Sequence, residues 1–285
     1  MKTSFSHNLT RASVREKVQR FYDLGSPCYY EIYGEHIHDG YYITGRESKA
    51  EAQENLIRLL VEKVRIKKGA RILDVGCGVG GSSLWLAANL EAVTVGITIS
   101  PVQVEMARKL AQERKVNSSF LLMDAEKMQF TEPYDVIWAV AVLSHLRNQE
   151  NFLKSATKSL NERGKFVIFD WMMNEDIAEP QNDPYIKPVS EGMLLTSLYS
   201  ISTYLKWFIK YGYRIIYSED ITDHTIKTWD DALSVVKQPA VWKLAYKVTS
   251  EERKEALKFL NSLRPMKLAM QKGKLKSGVI VAEKI

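Results

Sequence analysis

Between Ala70 and Trp171 the sequence alternates short, continuously apolar runs with amphipathic stretches, and this alternation limits the possible folds more than any other feature. The apolar runs are RILDVG, VTVGIT, SFLLMD, YDVIWAVAV and KFVIFDW; GSSLWLAANL, PVQVEMARKLAQERK and NQENFLKSATKSL lie between them. A strand without a polar face must be covered on both sides, and helices connecting successive strands supply that cover. The pattern predicts an α/β fold built on a parallel, doubly wound sheet. Ser100-Pro101 marks one helix start, with Ser as N-cap and Pro in the first turn.

The flanks have a different texture. Ser13-Val-Arg-Glu16 and Ser48-Lys-Ala-Glu51 share the Ser-x-x-Glu spacing in which hydroxyl and carboxylate satisfy each other's helix-end amides. They predict helices over about 13–24 and 48–64. The intervening GSPCYYEIYGEHIHDGYYITG is rich in Tyr and Gly, lacks periodicity and reads as a structured loop. After Trp171, three prolines in EDIAEPQNDPYIKP precede EGMLLTSLYSISTYLKWFIKYGY, whose apolar residues recur at helical spacing. A strand, YRIIYSED, a basic helix over about 250–270 and a closing strand, GVIVAEKI, follow.

The length of 285 residues and the apolar share of 45% allow one elaborated domain or two small ones with a sizeable core. Cys28 and Cys77 are the only cysteines, and no apolar run has the length of a membrane span or the plan of a signal peptide. A reduced, cytoplasmic protein without integral membrane association is expected. The opening MKTSFSHNLTRAS has some transit-peptide character but leads directly into a capping box, so it is read as a short tail. The net charge of +6 is localised: from Val236 onward 12 Lys or Arg face 4 Asp or Glu, a net of +8 that leaves −2 for the rest. Basic and aromatic residues do not interleave as on nucleic-acid surfaces, so the surplus reads as a solvated face.

The most informative stretch is ILDVGCGVGG, from Ile72 to Gly81, between a strand and a helix. Its glycines let a ligand approach the backbone and the helix N-terminus. Gly76, Gly78 and Gly81 also fit a dinucleotide fingerprint, but Asp74 at the strand end would repel pyrophosphate. The next strand, moreover, ends in Thr98 and lacks the acid that dinucleotide sites use for the ribose. A ligand with an ammonium, a ribose and an adenine but no phosphate fits better.

With these residues the sequence resembles class I methyltransferases that use S-adenosyl-L-methionine, specifically the γ-tocopherol and sterol methyltransferase type. The resemblance runs from about Val18 to the C-terminus through FYD, YGEHIHDGYY, ILDVGCGVGGSS, VGITISPVQ, MDAEKMQF, SHLRN and the closing strand. It implies a Rossmann-like fold with a mostly parallel seven-stranded sheet, an N-terminal helical cap and an inserted helical lid. Within a single methyltransferase domain it implies cap helices and an active-site loop over 1–65, a cofactor-binding core over 66–170, a lid over 171–212 and completion of the sheet over 213–285.

Residue by residue, the resemblance implies that Asp74, Gly76, Gly78 and Gly80 cradle the methionine end of the cofactor. Thr98 and Gln103 take the ribose hydroxyls, Asp124 and the Ala125 backbone the adenine edge. Ala139 lies beneath the sulfonium, and Tyr22 closes the pocket from the N-terminal helix. Capping the turn after its strand is the alternative role for Asp124, and Asp135, at a strand start, reads as structural. His36-Ile-His38-Asp39 has no accompanying Cys or His cluster, so no metal is expected and the segment reads as part of the loop over the active site.

Methyl transfer is an in-line displacement that needs the acceptor held in near-attack geometry, and a base only where the nucleophile must lose a proton. His145 and Tyr22 are the candidate catalytic residues. Tocopherol-type relatives tend to carry acids in the segment after the fourth strand, where this chain has Ala141 and Ser144. Their loss argues against methylation of an alkene and for an acceptor with its own lone pair or electron-rich ring. Leu195, Tyr199 and Trp207 are expected to contact an apolar acceptor, although such helical stripes also build cores. The leading expectation is transfer to carbon or nitrogen of a small hydrophobic metabolite of isoprenoid, prenylated aromatic or indole-alkaloid type. The competing readings are a cyclase or rearrangement catalyst that retains the cofactor, a sterol or tocopherol C-methyltransferase, an RNA or protein methyltransferase, and a non-catalytic binding module. A homo-oligomer is compatible with the leading reading; a nucleic-acid partner is not expected.

Overall fold

The protein was analysed as a computed structural model that describes residues 11–237 and 249–285. The expected N-terminal tail, with its transit-peptide character, falls mostly on residues 1–10, outside the described residues.

The seven apolar runs form one sheet: β1 (Arg71–Val75), β2 (Val93–Thr98), β3 (Ser118–Leu122), β4 (Tyr134–Val140), β5 (Leu160–Met173), β6 (Tyr213–Asp220) and β7 (Leu275–Lys284). Their order is β3-β2-β1-β4-β5-β7-β6, parallel except that β7 runs antiparallel to both β5 and β6. Successive side chains point to opposite faces. Leu73, Ile137 and Phe166 accordingly pack on one face with Phe152 and Leu153 of α5 (Gln149–Ala156) and Tyr204 and Phe208 of α7 (Ile201–Lys210). Ile72, Val136 and Val167 pack on the other with Leu56, Ile57 and Leu60 of α2 (Lys49–Val64) and Leu86 of α3 (Gly81–Leu90). The two covered faces follow from the near-continuous apolar runs of the inner strands, which are buried on both sides. Helix α4 (Pro101–Arg114) makes the connection from β2 to β3, with Ser100 as its N-cap.

Ser48 caps α2 with the full reciprocal box to Glu51. The first helix departs from expectation: α1 spans Arg11–Tyr33, so Ser13 lies inside it, and it continues through Gly25 and Pro27. Tertiary contacts override these local breakers. Gln103 Nε2 in α4 donates to Ser26 Oγ at 3.0 Å, and Ser100 Oγ donates to Asp23 Oδ1 at 2.5 Å. Phe21 and Tyr29 pack on Phe259, each at 5.7 Å between ring centroids.

Between β5 and β6 the chain forms α6 (Ile186–Gly192) and then α7. Past β6 come the single turn α8 (Thr222–Thr225), α9 (Lys227–Val236) and the long α10 (Ser250–Gln271). Helices α6, α9 and α10 share a separate apolar cluster containing Val189, Trp229, Leu263 and Met266. The basic C-terminal segment is partly neutralised by acids from elsewhere: Lys267 pairs with Asp230, Lys274 with Asp183, Lys276 with Asp220 and Lys284 with Glu162.

Candidate active site

β1 pairs with β2 on one side and β4 on the other, so the chain's path diverges at the C-terminal ends of these three strands. This is where α/β sheets open a ligand crevice. A cavity lies there, closed from above by α1 and by the loop from Glu35 to His38.

Asp74 is buried at the end of β1, and its Oδ2 accepts a hydrogen bond from Ser83 Oγ at 2.6 Å. Burial pushes its pKa up to about 7, against the opposing pull of the Ser83 hydrogen bonds. The following loop is pinned to β2, with Gly76 N and Cys77 N both donating to Ile97 O, at 2.8 and 3.0 Å. Asp74, Gly76, Gly78, Gly81 and Ser82 line the cavity. Gly80 does not: it has a φ of 92° and turns toward Phe120, so its role is to let the loop enter α3. Gly81 serves a different purpose. A Cβ there would run into Glu35 O and stand 2.6 Å from His36 Nδ1, so its bare backbone is what lets the covering loop close on α3.

On the β2 side Thr98 Oγ1 donates to Gln103 Oε1 at 2.6 Å, and both side chains are buried in the cavity wall. The Gln103 amide thus links the end of β2 to Ser26 of α1. Asp124 does two things at once. Its Oδ1 accepts from Glu126 N at 3.0 Å, capping a turn, while Oδ2 lies 3.5 Å from Arg15 Nε of α1 and the residue lines the cavity beside Ala125. Ala139 is fully buried in the core, and the three residues after it, Val140, Ala141 and Val142, form the wall. Asp135 lies at the opposite end of β4, where it accepts from Arg71 N and Asn161 Nδ2.

Tyr22 and His145 meet across the cavity, with 2.9 Å between the Tyr22 hydroxyl and His145 Nε2. His145 Nδ1 lies 3.4 Å from the Leu194 carbonyl, which can only accept, so Nδ1 carries the proton and Nε2 accepts from Tyr22. Burial lowers the His145 pKa to about 4 and raises that of Tyr22, the latter further through the Asp170 charge. Both groups are therefore neutral near pH 7. Asp170, pushed up to about 6 by burial, accepts from the backbone N–H groups of Leu143, Ser144 and Trp171 and so fixes the turn that carries His145.

The inserted segment reaches the site differently from expectation. Leu195, Tyr199 and Trp207 do not line this cavity. Leu195 belongs to the α6–α10 cluster, and Tyr199 and Trp207 pack edge to face against Tyr204 over the sheet. Packing of α7 on the sheet face occupies Trp207 and Tyr199, and the α6–α10 cluster occupies Leu195. The insertion acts instead through its backbone and hydroxyls: Leu194, at a φ of 55°, presents its carbonyl to His145, and Thr196 Oγ1 donates to Leu146 O at 2.7 Å. No sequence signal marks a carbonyl for such a role. His36 and His38 also line the cavity, and their GEHIHDG setting was the signal for them.

The lining thus combines a buried carboxylate, an uncharged Thr–Gln pair, exposed loop backbone, and the buried, unpartnered atoms His36 Nδ1 and His38 Nε2. This set fits the cofactor that the resemblance implies: a buried carboxylate can accept from its ammonium, and the uncharged Thr–Gln pair can meet its ribose hydroxyls. Replacing Gly81 with Ala is expected to destabilise the fold by about 1–3 kcal/mol through overpacking and to speed amide exchange in 34–40, read by denaturant unfolding and hydrogen exchange. Unchanged exchange in that loop would show that it does not depend on the bare Gly81 backbone.

Comparison with known proteins agrees with the geometry. The sequence matches the family described as mycolic acid cyclopropane synthetase over residues 9–258. It is 25% identical to the chloroplastic tocopherol O-methyltransferase of Arabidopsis thaliana over 95% of this chain and 83% of that protein. It is also 25% identical to norajmaline N-methyltransferase of Rauvolfia serpentina over 96% of this chain and 99% of that protein. Among solved structures the cyclopropane synthase MmaA2 from Mycobacterium tuberculosis superposes with a TM-score of 0.82 at 18% identity, covering 95% of this chain and 98% of the other, and shares the fold. The chain belongs to the mycolic acid cyclopropane synthetase family of class I methyltransferases and is an enzyme of that class with S-adenosylmethionine as its cofactor.

Proposed function

We propose that the protein methylates carbon or nitrogen of a small hydrophobic secondary metabolite of isoprenoid, prenylated aromatic or indole-alkaloid type. The observation that carries this reading is the neutral Tyr22–His145 pair, in a cavity whose lining includes the apolar Val14, Val18, Val140, Val142 and Leu146. Bound S-adenosylmethionine supplies an electrophilic methyl group on a sulfonium. Asp74 takes the ammonium of its methionine part, Thr98 and Gln103 the ribose, and Asp124 with Ala125 the adenine edge. The apolar wall excludes water and holds the acceptor close to the methyl group.

Tyr22 and His145 handle the proton. As the acceptor's carbon or nitrogen loses its proton to the Tyr22 oxygen, Tyr22 passes its own to His145 Nε2, and Leu194 O holds the imidazole in line. Burial keeps Tyr22 from ionising, so it relays and does not store charge. The positions after the fourth strand where related enzymes tend to carry acids hold Ala141 and Ser144 here, and Asp170 accepts from three backbone donors of the turn that carries His145. This favours an acceptor that carries its own lone pair or electron-rich ring.

His145→Ala is expected to lower kcat by about 10²–10⁴-fold while leaving KM for S-adenosylmethionine unchanged. A loss below about threefold would remove His145 as the base. The Asp74 pKa of about 7 gives a second prediction, since the ionised carboxylate is the form that holds an ammonium. Affinity for S-adenosylhomocysteine should rise as pH increases through about 7 and level off above it, and Asp74→Asn should flatten the profile. Titration calorimetry at several pH values measures both.

The acceptor class is tested by incubating isoprenoid, phenolic and indole-alkaloid compounds with methyl-labelled cofactor and following mass. Gain of one labelled methyl supports the proposal. Conversion to an unlabelled isomer would instead make the protein a cyclase that retains its cofactor.

A further inference from the structure

The stretch that leads from α6 into α7 runs beside the turn carrying His145 and is stitched to it on both sides of that residue. Thr196 N donates to Ser144 O at 2.8 Å. Thr196 Oγ1 donates to Leu146 O at 2.7 Å and has Ser144 O as a second neighbour at 3.2 Å. Ser197 Oγ donates to Leu146 O at 3.1 Å and accepts from Gln149 Nε2 at 3.0 Å. The same Gln149 amide donates to Ser197 O and accepts from the Tyr204 hydroxyl of α7. Ser144, Gln149 and Ser197 are all buried, and Thr196 is half-buried.

This stitching bears on one carbonyl. Leu194 O, two residues before Thr196, lies 3.4 Å from His145 Nδ1, and Leu194 holds a φ of 55° that a branched side chain rarely adopts. Backbone of this kind persists only where neighbouring contacts over-determine it. On one side of Leu194 the Leu195 N–H is bonded to Ser190 O at 2.9 Å, and on the other Thr196 is tied to the His145 turn by backbone and hydroxyl. The carbonyl and the imidazole are therefore held by the same set of bonds.

A neutral imidazole carries one proton, on either nitrogen. The Tyr22 hydroxyl, 2.9 Å from Nε2, can donate or accept and so selects neither tautomer. The Leu194 carbonyl can only accept and selects Nδ1–H. With that carbonyl displaced, Nε2–H could donate to the Tyr22 oxygen, and the tautomer so formed has no lone pair with which to take the Tyr22 proton.

We propose that Thr196 is a positioning residue of the reaction. By tying the inserted segment to the carbonyls on either side of His145 it keeps Leu194 O against Nδ1, and thereby selects the tautomer whose Nε2 receives the proton from Tyr22. The inference rests on the reading of Tyr22 and His145 as the pair that handles the proton. It gives the inserted segment a part in the chemistry that its apolar side chains, packed elsewhere, do not supply.

The test reads the tautomer directly. Nitrogen-15 NMR of the imidazoles shows which nitrogen of His145 bears the proton, the signal being assigned among the five histidines by its loss in His145→Gln. Wild-type protein should show Nδ1–H. Thr196→Val, matched in shape but without the hydroxyl, should shift the ratio about tenfold toward Nε2–H, and Thr196→Ser should restore the wild-type pattern. Ser197→Ala removes the other donor to Leu146 O and should move the ratio in the same direction, a reading independent of how well Thr196→Val folds. With an acceptor found by the mass screen, Thr196→Val should lower kcat about tenfold and leave KM for S-adenosylmethionine within about twofold. A wild-type ratio in Thr196→Val and Ser197→Ala would overturn the proposal, as would a Thr196→Ser variant that fails to restore the pattern. A shifted tautomer with unchanged kcat would uphold the positioning and overturn the proton relay on which it was built.

Discussion

A sheet whose strands are apolar on both faces leaves only its edges and strand ends open, and the organisation of this protein follows from that constraint. Helices occupy both faces, so a ligand can be approached only where the chain leaves the parallel strands. Asp74, Thr98 and the Val140–Val142 wall all lie at or just beyond such strand ends. The helices and loops that do not cover the sheet are then available to roof this opening. Helix α1 does so through polar contacts to residues that also line the cavity, Arg15 to Asp124 and Ser26 to Gln103.

Enclosure also determines the chemistry. The same burial that excludes water raises the pKa of Asp74 and Asp170 and lowers that of His36, His38 and His145. In such surroundings hydrogen bonds and fixed dipoles outweigh free charges. The Tyr22–His145 pair is oriented by a backbone carbonyl, and the His145 turn by a carboxylate whose acceptor capacity goes to backbone amides. Two non-glycine residues beside the site, Ala141 and Leu194, hold positive φ angles of 54° and 55°. Such backbone persists where surrounding contacts over-determine it. Here the Ala141 N–H is bonded to Phe169 O, and the Leu194 carbonyl serves His145.

The sheet and the glycine loop were legible because they depend on local patterning and on residue types with few alternative uses. The seven apolar runs became seven strands, and Ser48 and Ser100 became the caps their spacing implied. Helix α1 runs past its expected C-terminal end because Gly25 and Pro27 are breakers only where nothing else holds the chain, and Ser26 is held by Gln103 from α4. The aromatic stripe of α7 was ambiguous for a related reason. Helical periodicity reveals that a face is apolar but not whether sheet or ligand covers it, and here the sheet covers Tyr204 and Phe208.

The sequence by itself determined the α/β architecture, the carboxylate and glycines at the end of β1, and the family to which they belong. Only the tertiary structure decided that Gly80 serves the turn while Gly81 serves the covering loop, that Leu194 orients His145 through its backbone, and that His36 faces the first turn of α3. Strand period, cap spacing and a glycine loop are written in neighbouring residues. The meeting of His36 with Gly81, or of Tyr22 with His145, joins segments 45 or 123 positions apart, and nothing local encodes it.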